Sequence, residues 1–258
     1  MLNTITFGTD TALPPLLICH GLFGSARNWG VIARRLSDSR RVVTVDMRNH
    51  GDSPWWPSQT YADMAGDLAR VIGTARHDVV GHSMGGKAAM MLALTHPDLV
   101  RRLIVADIAP VAYAHSQNHL IAAMRGLDLT TLTTRSAADS KLAAAIPEDG
   151  TRAFLLQSLD LKSQPPRWRL NLDVLEANMS GIVGWPAPAG QFNGPALFLS
   201  GAASSYVLPE HRALIKPLFT AARFAKIPGA GHWLHADKPR EFEATIRAFL
   251  TADTAAAP

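Results

Sequence analysis

The stretch Val79-Val80-Gly81-His82-Ser83-Met84-Gly85-Gly86 sets a serine between glycines where an apolar run meets the helical stretch Lys87 to His96. A serine at such a strand-to-helix turn is strained and exposed, and the small residues two before and two after it let neighbouring backbone approach. The chemistry is nucleophilic attack, and a hydroxyl attacks well only when a base takes its proton. Of ten histidines, His232 stands out: in Ile227-Pro228-Gly229-Ala230-Gly231-His232-Trp233 it follows the last apolar run on a glycine-rich loop and precedes the last helix. His235 is the near competitor, three residues on but past the glycines. His82 is expected to point away from the nucleophile, His96 ends a helix, and His115, His119 and His211 read as exposed.

An imidazole base needs a carboxylate to fix its tautomer and stabilise the imidazolium, and with serine first in the chain the acid falls between serine and histidine. The loop after Ala196 to Leu199, from Ser200 to Pro209, holds no Asp or Glu. Asp107 is therefore the best candidate, at the end of Leu103-Ile104-Val105-Ala106-Asp107, a strand expected beside the Ser83 strand. A helix-capping aspartate is its plainer reading, and Asp173 and Glu176 are weaker candidates. The developing oxyanion needs two backbone donors. Met84, just after the nucleophile, supplies one, and the loop His20-Gly21-Leu22-Phe23-Gly24 the other, through Leu22 or alternatively Phe23.

Phe23 and Trp233 flank these loops and are read as pocket lining, whereas Trp168 and Trp185 read as core. The polar loop Asp46-Met47-Arg48-Asn49-His50-Gly51-Asp52-Ser53-Pro54 lacks the spaced partners of a metal site. A structural role is expected, with Arg48 and Asp52 bonding neighbouring loops. Cys19, the single cysteine, reads as a small buried strand residue.

Elements must carry these loops to one place. Apolar runs at Leu16 to Cys19, Val42 to Val45, Val79 to Val80, Leu103 to Val105, Ala196 to Leu199 and Arg223 to Ile227 alternate with helical periodicity, such as Trp29, Ile32, Ala33, Leu36 and Met64, Leu68, Val71, Ile72. That alternation argues for an α/β fold with a mostly parallel sheet. Thr60 with Asp63 marks a helix start, Pro97 closes the helix after Ser83, and Pro239 to Leu250 reads as a final amphipathic helix with a frayed tail from Thr251 to Pro258. Between residues 110 and 193 helical stretches follow one another without a strand, ending in a loop-like run from Gly181 to Pro188. This is expected to be an inserted helical cap, with residues 1–109 and 194–258 forming the core.

With 258 residues, 47% hydrophobic and 18% charged, the chain has the composition of a compact globule. Its net charge of +4 is spread over short basic pairs rather than clustered, which argues against a nucleic-acid partner and suggests at most anionic acyl carriers. The N-terminus lacks a signal-peptide pattern, and no membrane-spanning apolar run occurs, so a cytoplasmic protein is expected.

Together His20-Gly21-Leu22-Phe23, Asp46-x-Arg48-x-His50-Gly51-x-Ser53, Gly81-x-Ser83-x-Gly85-Gly86 and Gly231-His232 resemble the α/β-hydrolase family across nearly the whole chain. At finer grain, the runs from His20 to Ser25 and from Gly81 to Lys87, with Asp107-Ile108-Ala109-Pro110 and Trp168-Arg169-x-Asn171-Leu172, are similar to the small YbfF-type bacterial esterases. The resemblance implies a cofactor-free serine hydrolase with a helical cap. It also implies that the aspartate of Asp-Ile-Ala-Pro is the triad acid, in agreement with Asp107. Small-molecule acyl esters, and for some members acyl-CoA thioesters, are the implied substrates. Relatives often carry polar or acidic residues where this chain has Ala203 and Ser205. A carbon–carbon bond hydrolase or lyase on the same fold and a non-catalytic ligand-binding protein are the alternatives, since a fold does not fix a reaction. Halide-releasing and epoxide-opening relatives attack with an aspartate where this chain has Ser83.

Overall fold

The computed structural model describes residues 1–252. The tail expected to fray lies, from Asp253 onward, outside the described residues. Among the described residues the main sheet has seven strands: β1 (Thr4–Phe7), β2 (Leu16–Cys19), β3 (Val42–Val45), β4 (His77–His82), β5 (Val100–Ala106), and, after a shorter pair, β8 (Phe192–Gly201) and β9 (Phe219–Ile227). Their order is β1-β3-β2-β4-β5-β8-β9. All neighbours run parallel except β1, which is antiparallel to β3. The six expected apolar runs all fall within strands. β1 is an addition, and its signal was available in the alternation Thr4-Ile5-Thr6-Phe7, which suits an edge strand.

Helices α1 (Gly30–Leu36), α2 (Tyr61–Ile72) and α3 (Met84–Thr95) connect the first strands. The Thr60 hydroxyl accepts the Asp63 N–H and so caps α2, as expected from the pair. Strand side chains alternate between faces. Leu16 and Ile18 join Trp29, Ile32 and Leu36 and the closing helix on one side, while Leu17 and Cys19 join Met64, Leu68 and Ala88 on the other. Cys19 is fully buried, and burial pushes its thiol far above the usual range.

The 110–193 segment holds α4 (Asn118–Arg125), α5 (Arg135–Leu142), α6 (Asp149–Leu155), a two-stranded antiparallel pair β6 (Leu159–Asp160) and β7 (Arg167–Trp168), α7 (Leu172–Ala177) and α8 (Met179–Val183). The expectation of no strand here is corrected by β6 and β7, each two residues long and too short to show a period of two. The loop-like reading from Gly181 is likewise corrected, because Gly181 to Val183 finish α8. After β8 come α9 (His211–Ile215), α10 (Leu234–Asp237) and the amphipathic α11 (Pro239–Thr251). No helix among the described residues is long and apolar enough to cross a membrane.

Candidate active site

The chain runs from β2 to β3 on one side and then crosses to β4 on the other, and such a switch in strand order opens a crevice at the carboxyl ends. Each of four neighbouring strands ends near a non-glycine residue with positive φ: Phe23 (64°) after β2, Asn49 (63°) after β3, Ser83 (52°) after β4 and Asp107 (50°) after β5. Such backbone costs about 1–3 kcal/mol per residue and persists only where its surroundings hold it. At Ser83 the support is measurable. A Cβ on Gly81 would lie 2.3 Å from the Gly85 carbonyl oxygen, and one on Gly85 would lie 2.4 Å from the His20 oxygen. The turn closes only with glycine on both sides of the serine.

Three sequence candidates meet here. The Ser83 hydroxyl is 3.0 Å from His232 Nε2, and His232 Nδ1 is 2.8 Å from Asp107 Oδ2. With Asp107 accepting at Nδ1, the ring carries its proton there and offers Nε2 to the serine. Asp107 is fully buried. Its carboxylate also accepts the Gly201 N–H at 3.0 Å and the Ser204 hydroxyl. The end of β8 and the loop after it lack an acid, and sequence reasoning missed that they supply Asp107's donors instead. A hydroxyl in a loop is too common a feature to have signalled this. Asp173 and Glu176 pair with Arg125 instead.

His82, expected to point away from the nucleophile, packs its ring beside Trp29 and His235. It lines the cavity, and its Nε2–H donates to the His232 carbonyl at 2.8 Å, anchoring the histidine loop. Burial, and then the neighbouring His232, push His82 well below the usual histidine range. His235 does not compete: it stacks on Trp29 at 4.1 Å, and burial lowers it to about 3. The Tyr206 ring, unremarked in the sequence, stacks on His232 at 3.9 Å.

A Cβ on Gly21 would come within 3.2 Å of the Ser83 Cβ, so the loop after β2 passes directly beside Ser83. Leu22 and Met84 both line the cavity. The Phe23 N–H is taken, since it donates to His50 Nε2 at 3.2 Å. That hydrogen bond occupies the alternative oxyanion donor, and Leu22 is the remaining candidate from this loop. The cavity at Ser83 has a volume of about 400 Å³, and Phe23 and Trp233 line it together with Leu120, Phe154 and Ile182. Trp168, by contrast, is buried and donates from its indole to the Met124 carbonyl.

The polar loop after β3 is structural scaffolding. Arg48 bonds the Ser58 hydroxyl at 2.9 Å and Asp52 bonds Arg169 at 3.0 Å, loop contacts as expected of both, and Arg48 also bonds Asp67 on α2 at 2.6 Å. The hub is Asp46, whose carboxylate accepts from Asn3 Nδ2, the Ala26 N–H and the Asp52 N–H.

Residues 14–239 match the family described as alpha/beta hydrolase fold. The chain is 41% identical over 252 residues to the sn-1-specific diacylglycerol lipase ABHD11 of Mus musculus, covering 93% of this chain and 82% of that protein. It is 40% identical over 242 residues to the esterase YbfF of Escherichia coli K12, covering 92% of each. A solved marine microorganism esterase superposes with a TM-score of 0.90 at 38% identity, covering 96% of this chain and 98% of that one.

Proposed function

Since the chain belongs to the α/β-hydrolase family and is an ester hydrolase, we propose that Ser83, His232 and Asp107 form its catalytic triad, acting through an acyl-enzyme. The continuous hydrogen-bond path from Ser83 Oγ through the imidazole to Asp107 carries this reading. Ser83 Oγ attacks the acyl carbonyl carbon while His232 Nε2 takes its proton. The carbonyl oxygen becomes an oxyanion facing the N–H groups of Leu22 and Met84. Collapse breaks the bond to the alcohol oxygen, which leaves with the proton from His232. Water, deprotonated by the same nitrogen, then attacks the acyl-serine, and as the bond to Ser83 Oγ breaks the proton passes from His232 back to Oγ and the acid is released. Asp107 holds the imidazole in the competent tautomer and stabilises its cation.

Residues 110–193 serve in this reading as a cap over the core formed by 1–109 and 194–258, since Leu120, Phe154 and Ile182 from that segment close the cavity against Ser83. The acyl group lies against this apolar wall. The test is Ser83→Ala on p-nitrophenyl butyrate, with fluorophosphonate labelling of both proteins. Loss of turnover and of label is expected, and an active or labelled variant refutes the assignment. Butyryl-CoA run beside the ester tests whether thioesters share the route.

A further inference from the structure

Lys87 lies one helical turn past Ser83 on α3, its N–H bonded to the Ser83 carbonyl at 3.0 Å. Residues four apart share a helix face, so its side chain leaves α3 on the side of the nucleophile and lines the same cavity. It is only 1% exposed. Buried cations are ordinarily paired with a carboxylate, yet among the described residues Lys87 pairs with none. Its Nζ donates instead to the carbonyls of Val183 at 2.9 Å and Gly184 at 2.6 Å. The faces of Tyr113, at 4.8 Å, and Tyr61, at 5.8 Å, complete the shell.

These carbonyls belong to the last residue of α8 and the residue that follows it, where a helix has no intrahelical donors left and favours a cation. Two more groups hold the same turn. The Tyr61 hydroxyl donates to the Ile182 carbonyl at 2.5 Å, and the Tyr113 N–H to Val183 at 3.0 Å. Three consecutive carbonyls are thus fastened to α2, α3 and the segment after β5, and Ile182 and Val183 face the cavity.

We propose that Lys87 sets the acyl-length preference of the ester hydrolase, by fastening residues 182–184 as the wall that a lengthening acyl chain meets. The inference rests on the cavity's being the acyl site. Lys87 is a positioning residue here, because it acts through the wall and not on the reacting atoms. Burial pulls its ammonium down to about 7, so the charge that holds the turn is lost as pH rises through neutrality. The titratable groups facing it are Tyr61 from α2 and Tyr113 and His115 from the segment after β5. Exposed Glu148 and His119 line the same cavity, and His232 stands at its reacting end.

The experiment measures kcat/KM for p-nitrophenyl butyrate and octanoate in the wild type, Lys87→Met and Tyr61→Phe between pH 6 and 8. The ratio of the two esters cancels the protonation of His232, which both share. Lys87→Met is expected to lower the butyrate-to-octanoate ratio about tenfold through KM, the size of one charge-assisted hydrogen bond. Tyr61→Phe is expected to lower it less. The wild-type ratio is expected to fall from pH 6 to 8 and the Lys87→Met ratio to stay flat. Fluorophosphonate labelling of Ser83 separates the two readings: an unlabelled wild type overturns the triad assignment itself. A folded, labelled Lys87→Met protein with the wild-type ratio overturns the role of Lys87. If Lys87→Met does not fold, a wild-type ratio independent of pH and unchanged in Tyr61→Phe overturns it equally.

Discussion

Two aspartates stand at the carboxyl edge of one sheet, Asp46 after β3 and Asp107 after β5, and both are almost fully buried among donors. Asp46 accepts one side-chain amide and two backbone N–H groups, from Asn3, Ala26 and Asp52. Asp107 accepts a backbone N–H, a hydroxyl and an imidazole. Residue type, depth and edge are alike. The difference is the imidazole, because of the partners of these two carboxylates only Asp107's reaches onward to the Ser83 hydroxyl. A buried carboxylate therefore becomes part of a reaction through the group it orients, and without such a group it ties loops together.

The largest effect expected is at Asp107. Asp107→Asn keeps size and tolerates φ near 50°, but presents an amide where the imidazole needs an acceptor. A fall of about 10⁴ in kcat on p-nitrophenyl butyrate is expected, with a melting temperature within a few degrees of wild type. Asp46→Ala should invert the pattern. Three donors lose their acceptor, costing about 3 kcal/mol. In a domain of this size that lowers Tm by roughly 6–12 °C, while kcat in the folded fraction stays within about tenfold. If Asp46→Ala abolished kcat in a fully folded protein, or Asp107→Asn merely lowered Tm, the distinction between the two aspartates would collapse.

The next effect is pH-dependent and belongs to the Asp46 side. His50 donates from Nδ1 to the Arg48 carbonyl and accepts the Phe23 N–H at Nε2, so it is neutral in the fold. Burial, and then the neighbouring His20, lower it to about 3. The unfolded chain takes up that proton near pH 6.5 and the folded chain does not, so stability falls as pH drops below 6.5. From 6.5 to 5 this one group removes about 2 kcal/mol. Denaturant melts at both pH values should show His50→Gln losing about that much less over the window. The remaining slope belongs to the other histidines that burial lowers, the buried His20, His77, His82 and His235 and the more exposed His115.

The contrast also marks what was legible in the sequence. Strand runs, the serine turn and His232 carry local signatures, in apolar run length, glycine spacing and position between a last strand and a last helix. Asp107 is reached because the later loop has no acid. What stayed hidden depends on contacts between segments far apart in the chain. Asp46 as a hub, His82 behind the histidine loop, Ser204 on Asp107 and Lys87 beneath α8 each pair residues that no period or motif links. The Phe23 N–H looks as available as that of Leu22 until folding brings His50 against it.

The smallest effect tests how finely Asp107 is tuned. Ser204 donates its hydroxyl to the carboxylate oxygen that also accepts the imidazole, and the Gly201 N–H holds the other oxygen. Two donors on one oxygen share its electron density, so the hydroxyl fixes the carboxylate's orientation while weakening its pull on His232. If orientation dominates, Ser204→Ala lets the carboxylate turn about its remaining anchor, and kcat falls about fivefold to tenfold, the size of one ordinary hydrogen bond of about 1 kcal/mol. If pull dominates, Ser204→Ala leaves kcat unchanged or raises it. The positive φ at Asp107 argues for orientation, since strain is retained where geometry must be held. The matching change on the Asp46 side is Asn3→Ala, which removes one donor from that carboxylate. It should leave kcat alone and lower Tm by only about 2–4 °C, so the pair of variants separates a donor that serves chemistry from one that serves the fold.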